Sequence, residues 1–129
     1  MHAALDGTGL APGDPERVVA IGRAYLEFAT AEPAFFSMMF GRPIPGFTPV
    51  RTTRTHGRDS TFGTLVLEVE ACLAAGALRG APAEELARLC WLTVHGLASL
   101  RAAGMLPSDA GSTTLQERAL RTPLQAHRP

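Results

Sequence analysis

The chain has 129 residues, 46% of them hydrophobic, and its 12 basic and 12 acidic side chains leave no net charge. This length suits one domain with one core, and the composition is too apolar for a disordered chain. The balanced charge lacks the positive excess that is typical of a DNA-binding domain. No apolar run approaches the roughly 18 residues of a membrane span, and the N-terminus lacks a signal peptide's features. We therefore expect a soluble, cytoplasmic protein without membrane contact.

The first half of the chain predicts a flexible start and two helices. Residues 1–13 are rich in Gly and Ala, which favours fraying. The triplet "DPE" is typical of a helix start, and apolar residues at helical spacing extend this helix over about 15–31. The segment "PAFFSMMFG" (33–41) predicts a short apolar helix. The following Pro- and Gly-rich segment breaks regular structure.

The second half predicts three more helices. Two of them span about 59–75 and 82–103, and each precedes a glycine that is suited to capping a helix. Thr114 and Glu117 predict a capping box for a last helix over 113–121, which Pro123 should limit. No segment alternates like a strand, so the predicted class is all-α with about five helices.

The helix over 82–103 is apolar on two opposite sides. One side gathers six residues: Leu86, Leu89, Cys90, Thr93, Leu97 and Leu100. The other side gathers Trp91, His95, Ala98 and Ala102. A helix that is hydrophobic all round is buried on both sides. Either one side meets a second subunit, or the helix lies at the centre of a monomer; periodicity leaves both open.

No pattern in the chain predicts catalysis, a metal site or a cofactor. Motifs for a serine nucleophile, a zinc hydrolase or a phosphate-binding glycine loop do not occur, so we do not expect an enzyme. Cys72 and Cys90 lack metal or redox spacing and are predicted to be buried free thiols. A basic cluster either contacts phosphate or is a solvated loop, and its lack of interleaved aromatic residues favours the loop. Its members are Arg51, Arg54, His56 and Arg58.

Two segments resemble the C-terminal domain of TetR-type transcriptional regulators, of the variety whose signature is Trp, three residues, then His-Gly. They are "AYLEFATAEPAFFSMMF" (24–40) and "WLTVHGLASLRAAG" (91–104). The resemblance covers about 15–122. The matching positions are Tyr25, Phe28, Ala29, Pro33, Phe36, Met39, Phe40, Trp91, His95, Gly96, Leu100 and Gly104.

The resemblance implies an all-α domain that forms a homodimer through its last two long helices, which make a four-helix bundle with the partner. It also implies a cavity in each subunit for a small apolar or aromatic effector. The family's N-terminal helix-turn-helix unit, which binds operator DNA, is absent from these 129 residues. We therefore expect 14–125 to be an effector-binding and dimerisation domain that cannot bind DNA alone. The alternative is an all-α homodimerisation or protein-interaction module without an effector.

Two sets of residues are candidates for these roles. The first lines either a ligand pocket or the core, and the core is the simpler interpretation. It comprises Tyr25, Phe28, Phe36, Met39, Phe40, Phe62, Trp91 and His95. The second is the predicted dimer interface, which comprises Leu86, Leu89, Cys90, Thr93, Leu97 and Leu100.

Overall fold

Four α-helices make up the regular structure of the described chain. The computed structural model describes residues 9–32, 34, 61–106 and 110–129. The helices are α1 (Pro15–Ala31), α2 (Thr61–Ala74), α3 (Ala83–Ala102) and α4 (Ala110–Gln125). These parts of the chain contain helices and no strand, which confirms the all-α class. The predicted short helix over 33–41 and the basic cluster of residues 51–58 lie outside the described residues, apart from Ala34.

The helix ends follow the sequence signals closely in α1, α2 and α3. Asp14 caps α1, since its Oδ1 accepts a hydrogen bond from the Glu16 backbone N–H at 2.9 Å. After α2, the backbone N–H of Gly76 donates to the Leu73 carbonyl and that of Ala77 donates to the Cys72 carbonyl. These paired bonds define a Schellman motif, in which the glycine takes a positive φ of 76°.

The last helix is longer than its sequence predicts. It begins at Ala110 rather than near 113, and it continues through Pro123 to Gln125. A proline inside a helix removes one backbone hydrogen bond. The burial of Leu124, which is only 1% exposed, offsets this loss. The predicted capping box is also wrong, because Glu117 lies well inside the helix and pairs with arginines instead.

The core lies among all four helices, and both α1 and α3 pack against each of the others. Its fully buried members include Val19 and Leu26 of α1, Val69 of α2 and Leu86 of α3. No described helix combines the length and the apolar character needed to cross a bilayer. The packing of α3 against three neighbours determines which of its sides can serve as a site.

Two sets of ion pairs fix α1 against its neighbours. Arg17 and Glu68 of α2 form a bidentate pair with N–O distances of 2.8 and 2.9 Å, and their side chains are only 10% and 12% exposed. On the other side, Arg23 forms a bidentate pair with Glu117 of α4. Arg121 bridges Glu117 and Glu16. The hydrogen bond from Arg23 lowers the pKa of Glu117 to about 2, so this carboxylate stays charged at neutral pH.

The segment before α1 is held against α2. The Arg17 guanidinium donates a hydrogen bond to the Leu10 carbonyl at 3.1 Å. Gly13 is buried with φ of 91°, and a Cβ there would lie 3.0 Å from the Ala75 Cβ and 3.2 Å from the Ala71 carbonyl oxygen. The expected flexible segment 1–13 therefore has fixed contacts from Leu10 onward, whereas residues 1–8 lie outside the described chain.

We expect Gly13→Ala to lower the free energy of unfolding more than Gly76→Ala does. Both changes place a side chain at positive φ, which costs about 1–2 kcal/mol. Only Gly13 also faces crowding, because no atom of the described residues lies within 4 Å of a Cβ at Gly76. Urea unfolding followed by circular dichroism measures both variants. Equal losses would show that the contact between Gly13 and α2 is not tight.

Candidate functional site

Four ring-bearing side chains from three helices meet in the interior and form what we call the aromatic cluster. It consists of Tyr25 from α1, Phe62 from α2, and Trp91 and His95 from α3. The rings of Tyr25 and Trp91 meet edge to face with centroids 5.1 Å apart. Phe62 meets Trp91 in the same way at 6.1 Å. Such contacts add about 0.5–1.5 kcal/mol each beyond the burial of area.

One polar pair lies within this apolar cluster. The Tyr25 hydroxyl and the His95 Nδ1 are 3.1 Å apart, so the hydroxyl donates to Nδ1 when Nε2 carries the ring proton. Burial raises the pKa of Tyr25 to about 12 and lowers the pKa of His95. Both groups are therefore neutral near pH 7, and their bond joins α1 to α3 without a buried charge.

The cluster is closely packed in this structure. The space among Tyr25, Trp91 and their apolar neighbours is about 20 Å³, which is room for about one water molecule. A small-molecule site usually encloses about 300–1,000 Å³. An effector could therefore enter among these side chains only if they moved apart.

The other predicted pocket residues contribute less to this picture. Phe28 is half-buried on α1, one turn beyond Tyr25, whereas Phe36, Met39 and Phe40 lie outside the described residues. Sequence reasoning missed Arg88, whose guanidinium carbon lies 5.7 Å from the Phe62 ring centroid. Its position three residues before Trp91 placed it on the same helix side and was the available signal.

The six residues of the predicted dimer interface divide between the core and the surface of this subunit. Leu86 is fully buried and Leu97 is 9% exposed, so both belong to the chain's own core and are not available to a partner. The exposed part of this side comprises Leu89 at 38% and Leu100 at 43%, while Thr93 and Cys90 are half-buried. The prediction also missed Leu92, which is 67% exposed. The side of α3 that is buried against α1, α2 and α4 does not coincide with the six-residue side predicted from the sequence, but is turned relative to it about the helix axis.

We call the exposed apolar side of α3 the α3 stripe. It runs along the outer face of the helix; none of its members is charged, and exposed Glu85 lies on the same side, one turn before Leu89. Its members are Leu89, Leu92, Thr93, Gly96, Leu100 and Ala103.

A comparison with protein families assigns the domain. The family model described as "Tetracyclin repressor-like, C-terminal domain" matches residues 18–122. The chain belongs to this family. Searches of curated proteins and of solved structures found no match. Domains of this TetR-like family are parts of regulatory proteins, and they typically dimerise and bind small-molecule ligands.

The two cysteines of the TetR-like domain, Cys72 and Cys90, are free thiols in this structure. Cys72 is buried and Cys90 is half-buried, and burial raises the pKa of each thiol to about 11. Neither is therefore a reactive thiolate near neutral pH. Within the described part of the chain, no three His, Cys, Asp or Glu side chains group as metal ligands would.

We expect the stability of the domain to fall as the pH is lowered from 7.5 to 5.5. An unfolded chain protonates its histidine near pH 6.5, whereas burial keeps folded His95 neutral to a lower pH. The unfolded state therefore gains protons first and is favoured. Melting temperatures across this range measure the effect. His95→Gln should flatten the slope, because it removes the titrating ring; an unchanged slope in this variant would contradict the assignment.

Proposed function

We propose that this chain is the effector-binding and dimerisation domain of a TetR-like transcriptional regulator. The effector is a small apolar or aromatic molecule that binds at the aromatic cluster. The observation that carries the proposal is the neutral Tyr25–His95 hydrogen bond, 3.1 Å long, within the ring contacts of Trp91 and Phe62. Family membership supplies the wider role in regulation.

The chemistry of the cluster favours such an effector. Its rings offer apolar area and edge-to-face contacts to another ring. In a more open packing, a hydroxyl or carbonyl on the effector would exchange hydrogen bonds with the Tyr25–His95 pair. A charged effector is disfavoured, because both members of the pair are neutral near pH 7.

Effector binding would couple to the arrangement of the helices. Tyr25 lies on α1 and His95 on α3. The space beside Tyr25 and Trp91 is only about 20 Å³. An effector must therefore bind a more open packing of α1 against α3 and shift the population toward it. Such differential binding to two arrangements is what an allosteric domain requires.

The filled core favours a second candidate function. A homodimerisation or protein-interaction module needs no cavity, and the closely packed cluster is what its core would contain. Under this alternative, the Tyr25–His95 hydrogen bond serves to join α1 to α3. Both candidates keep the α3 stripe as the contact with a second subunit.

We expect aromatic compounds such as naphthol and indole to raise the melting temperature and to change the fluorescence of Trp91. Trp91 is the only tryptophan, so its emission reports directly on the cluster. A ligand that binds only the folded state at 100 times its Kd stabilises by about 2.7 kcal/mol. Tyr25→Phe should weaken naphthol binding more than naphthalene binding, because it removes only the hydroxyl.

The matched control for Tyr25→Phe is Thr122→Ala, which removes an exposed hydroxyl on α4. It should leave both binding constants unchanged. If no compound in a panel of apolar and aromatic molecules changes either signal, the effector part of the proposal is wrong and the interaction module stands.

We expect the protein to sediment as a dimer at micromolar concentration, and Leu92→Glu to sediment as a monomer. Leu92 is 67% exposed at the centre of the α3 stripe, so a charge there would be desolvated at a subunit contact. Met105→Glu is the control, since Met105 is equally exposed at 70% but lies after α3. A wild-type monomer at this concentration would overturn the dimer.

A further inference from the structure

Leu120 of α4 packs directly on the backbone of α1. A Cβ on Gly22 would lie 2.8 Å from the Leu120 Cδ2, which is closer than two non-bonded carbon atoms approach. Gly22 lies inside α1, where glycine is disfavoured relative to alanine. Glycine is suited to a position where a neighbour must come this close. The contact with Leu120 therefore explains why α1 has a glycine at this point.

Leu120 also closes the small space beside the aromatic cluster. All four helices line this space of about 20 Å³, and Leu120 is the residue that α4 contributes among those described. Gly22 and Tyr25 lie three residues apart and so share one side of α1. Leu65 of α2 and Trp91 of α3 line the same space. The Leu120 side chain thus fills the place that an apolar ligand beside Tyr25 would need.

Exposed charges hold the contact between α1 and α4 at this point. On either side of Leu120, Glu117 and Arg121 form ion pairs with side chains of α1. The four side chains of these pairs are 30–41% exposed, so water and salt screen their attraction. The ion pair between α1 and α2 has side chains that are only 10% and 12% exposed. Of these two contacts of α1, the one with α4 therefore opens more easily.

We propose that Leu120 is the specificity-determining residue of the effector site. One aromatic ring of the effector takes the place of the Leu120 side chain against Gly22 and lies beside Tyr25 and Trp91. The leucine turns away from α1 as the contact between α1 and α4 opens. The inference rests on the proposed function, and it names the part of the site that the effector occupies.

The size of a leucine side chain suits this exchange. The existing space of about 20 Å³ is far too small for a ring, whereas an engineered apolar cavity of about 150 Å³ accepts benzene. Removal of one buried leucine side chain can create a cavity of this order. Such a place admits one ring and excludes a branched or bulky group. The effector therefore belongs to the compounds that present an unbranched aromatic ring, as naphthol and indole do.

Naphthol binding to Leu120→Ala tests the proposal. The ring no longer has to displace a side chain in this variant, so its Kd should be at least tenfold lower than that of wild type. Leu120→Val should show the same change to a smaller extent. Trp91 fluorescence and the melting temperature measure binding, and circular dichroism verifies that each variant is folded.

Leu124→Ala is the matched control for Leu120→Ala. Leu124 lies one turn later on α4 and is 1% exposed, but it is not among the residues that line the space beside Tyr25. The naphthol Kd of this variant should stay within twofold of wild type. An equal gain in both variants would show that any cavity in this core accepts the ring, and it would overturn the role of Leu120.

Gly22→Ala in the Leu120→Ala background locates the ring. The three atoms nearest to a Cβ on Gly22 all belong to the Leu120 side chain, so the leucine's removal relieves the crowding. Alanine also favours the helix, and the double variant should be at least as stable as Leu120→Ala. It should nevertheless lose most of the gain in naphthol affinity, because its added methyl group occupies the surface on which the ring lies. Retention of the full gain would place the ring elsewhere.

Glu117→Gln tests the direction of entry without creating a cavity. It weakens the ion pairs of Glu117 with Arg23 and Arg121 and keeps the shape of the side chain. Naphthol should therefore associate several times faster than with wild type in stopped-flow measurements of Trp91 fluorescence. Arg118→Gln is the control, since Arg118 is exposed on α4 and takes no part in these ion pairs. An unchanged association rate in Glu117→Gln would overturn entry on the α4 side.

The outcomes separate this inference from the proposed function. If naphthol binds wild type and Leu120→Ala with equal affinity, the role of Leu120 is wrong and the effector function stands. If naphthol binds Leu120→Ala but not wild type, the effector function is wrong, because only an engineered cavity then accepts the ring. Binding to wild type that tightens in Leu120→Ala and not in Leu124→Ala supports both.

Discussion

The packing of α3 is the constraint on which the rest of this domain depends. One side of the helix is covered by α1, α2 and α4, and it carries Leu86, Val94 and Trp91 into the interior. Once three helices occupy that side, the remaining leucines must face outward. The same rotation of one helix therefore creates both the aromatic cluster and the uncharged stripe. The aromatic cluster and the α3 stripe are two consequences of one packing arrangement.

The two surfaces of α3 are coupled because they share a rigid helix. Trp91 and Leu92 are adjacent in the chain, yet one contacts Tyr25 at 5.1 Å between centroids and the other is 67% exposed. A displacement of α3 that opened the cluster would also move the stripe. In a dimer, such a displacement would couple an opening of the cluster to a change in the relative position of the two subunits. Coupling of this kind between two sites through an element with two arrangements is what defines allostery.

The ion pairs determine which movements of α1 are easy. Arg17 ties α1 to Glu68 of α2 and to the Leu10 carbonyl, and these side chains are nearly buried. The Arg23–Glu117–Arg121 network on the other side is 30–41% exposed and therefore more weakly held. The end of α1 that begins at Pro15 is thus anchored to α2. An opening at Tyr25 requires α1 to move relative to α3 while this anchor holds.

The sequence by itself determined the helical class, the limits of α1 and the contact of Tyr25 with Trp91 and His95. Helical periodicity, the Asp14 cap and the family motif each depend on residues that are close together in the chain. The structures they predict therefore do not depend on how the helices pack. The sequence did not predict the length of α4, which continues past Pro123 and buries Leu124. It also did not predict which residues of α3 are buried and which are exposed. Only the tertiary structure decided that Leu86 is internal and Leu92 external. A helical wheel shows which residues share a side, but how many helices cover that side depends on contacts between distant parts of the chain.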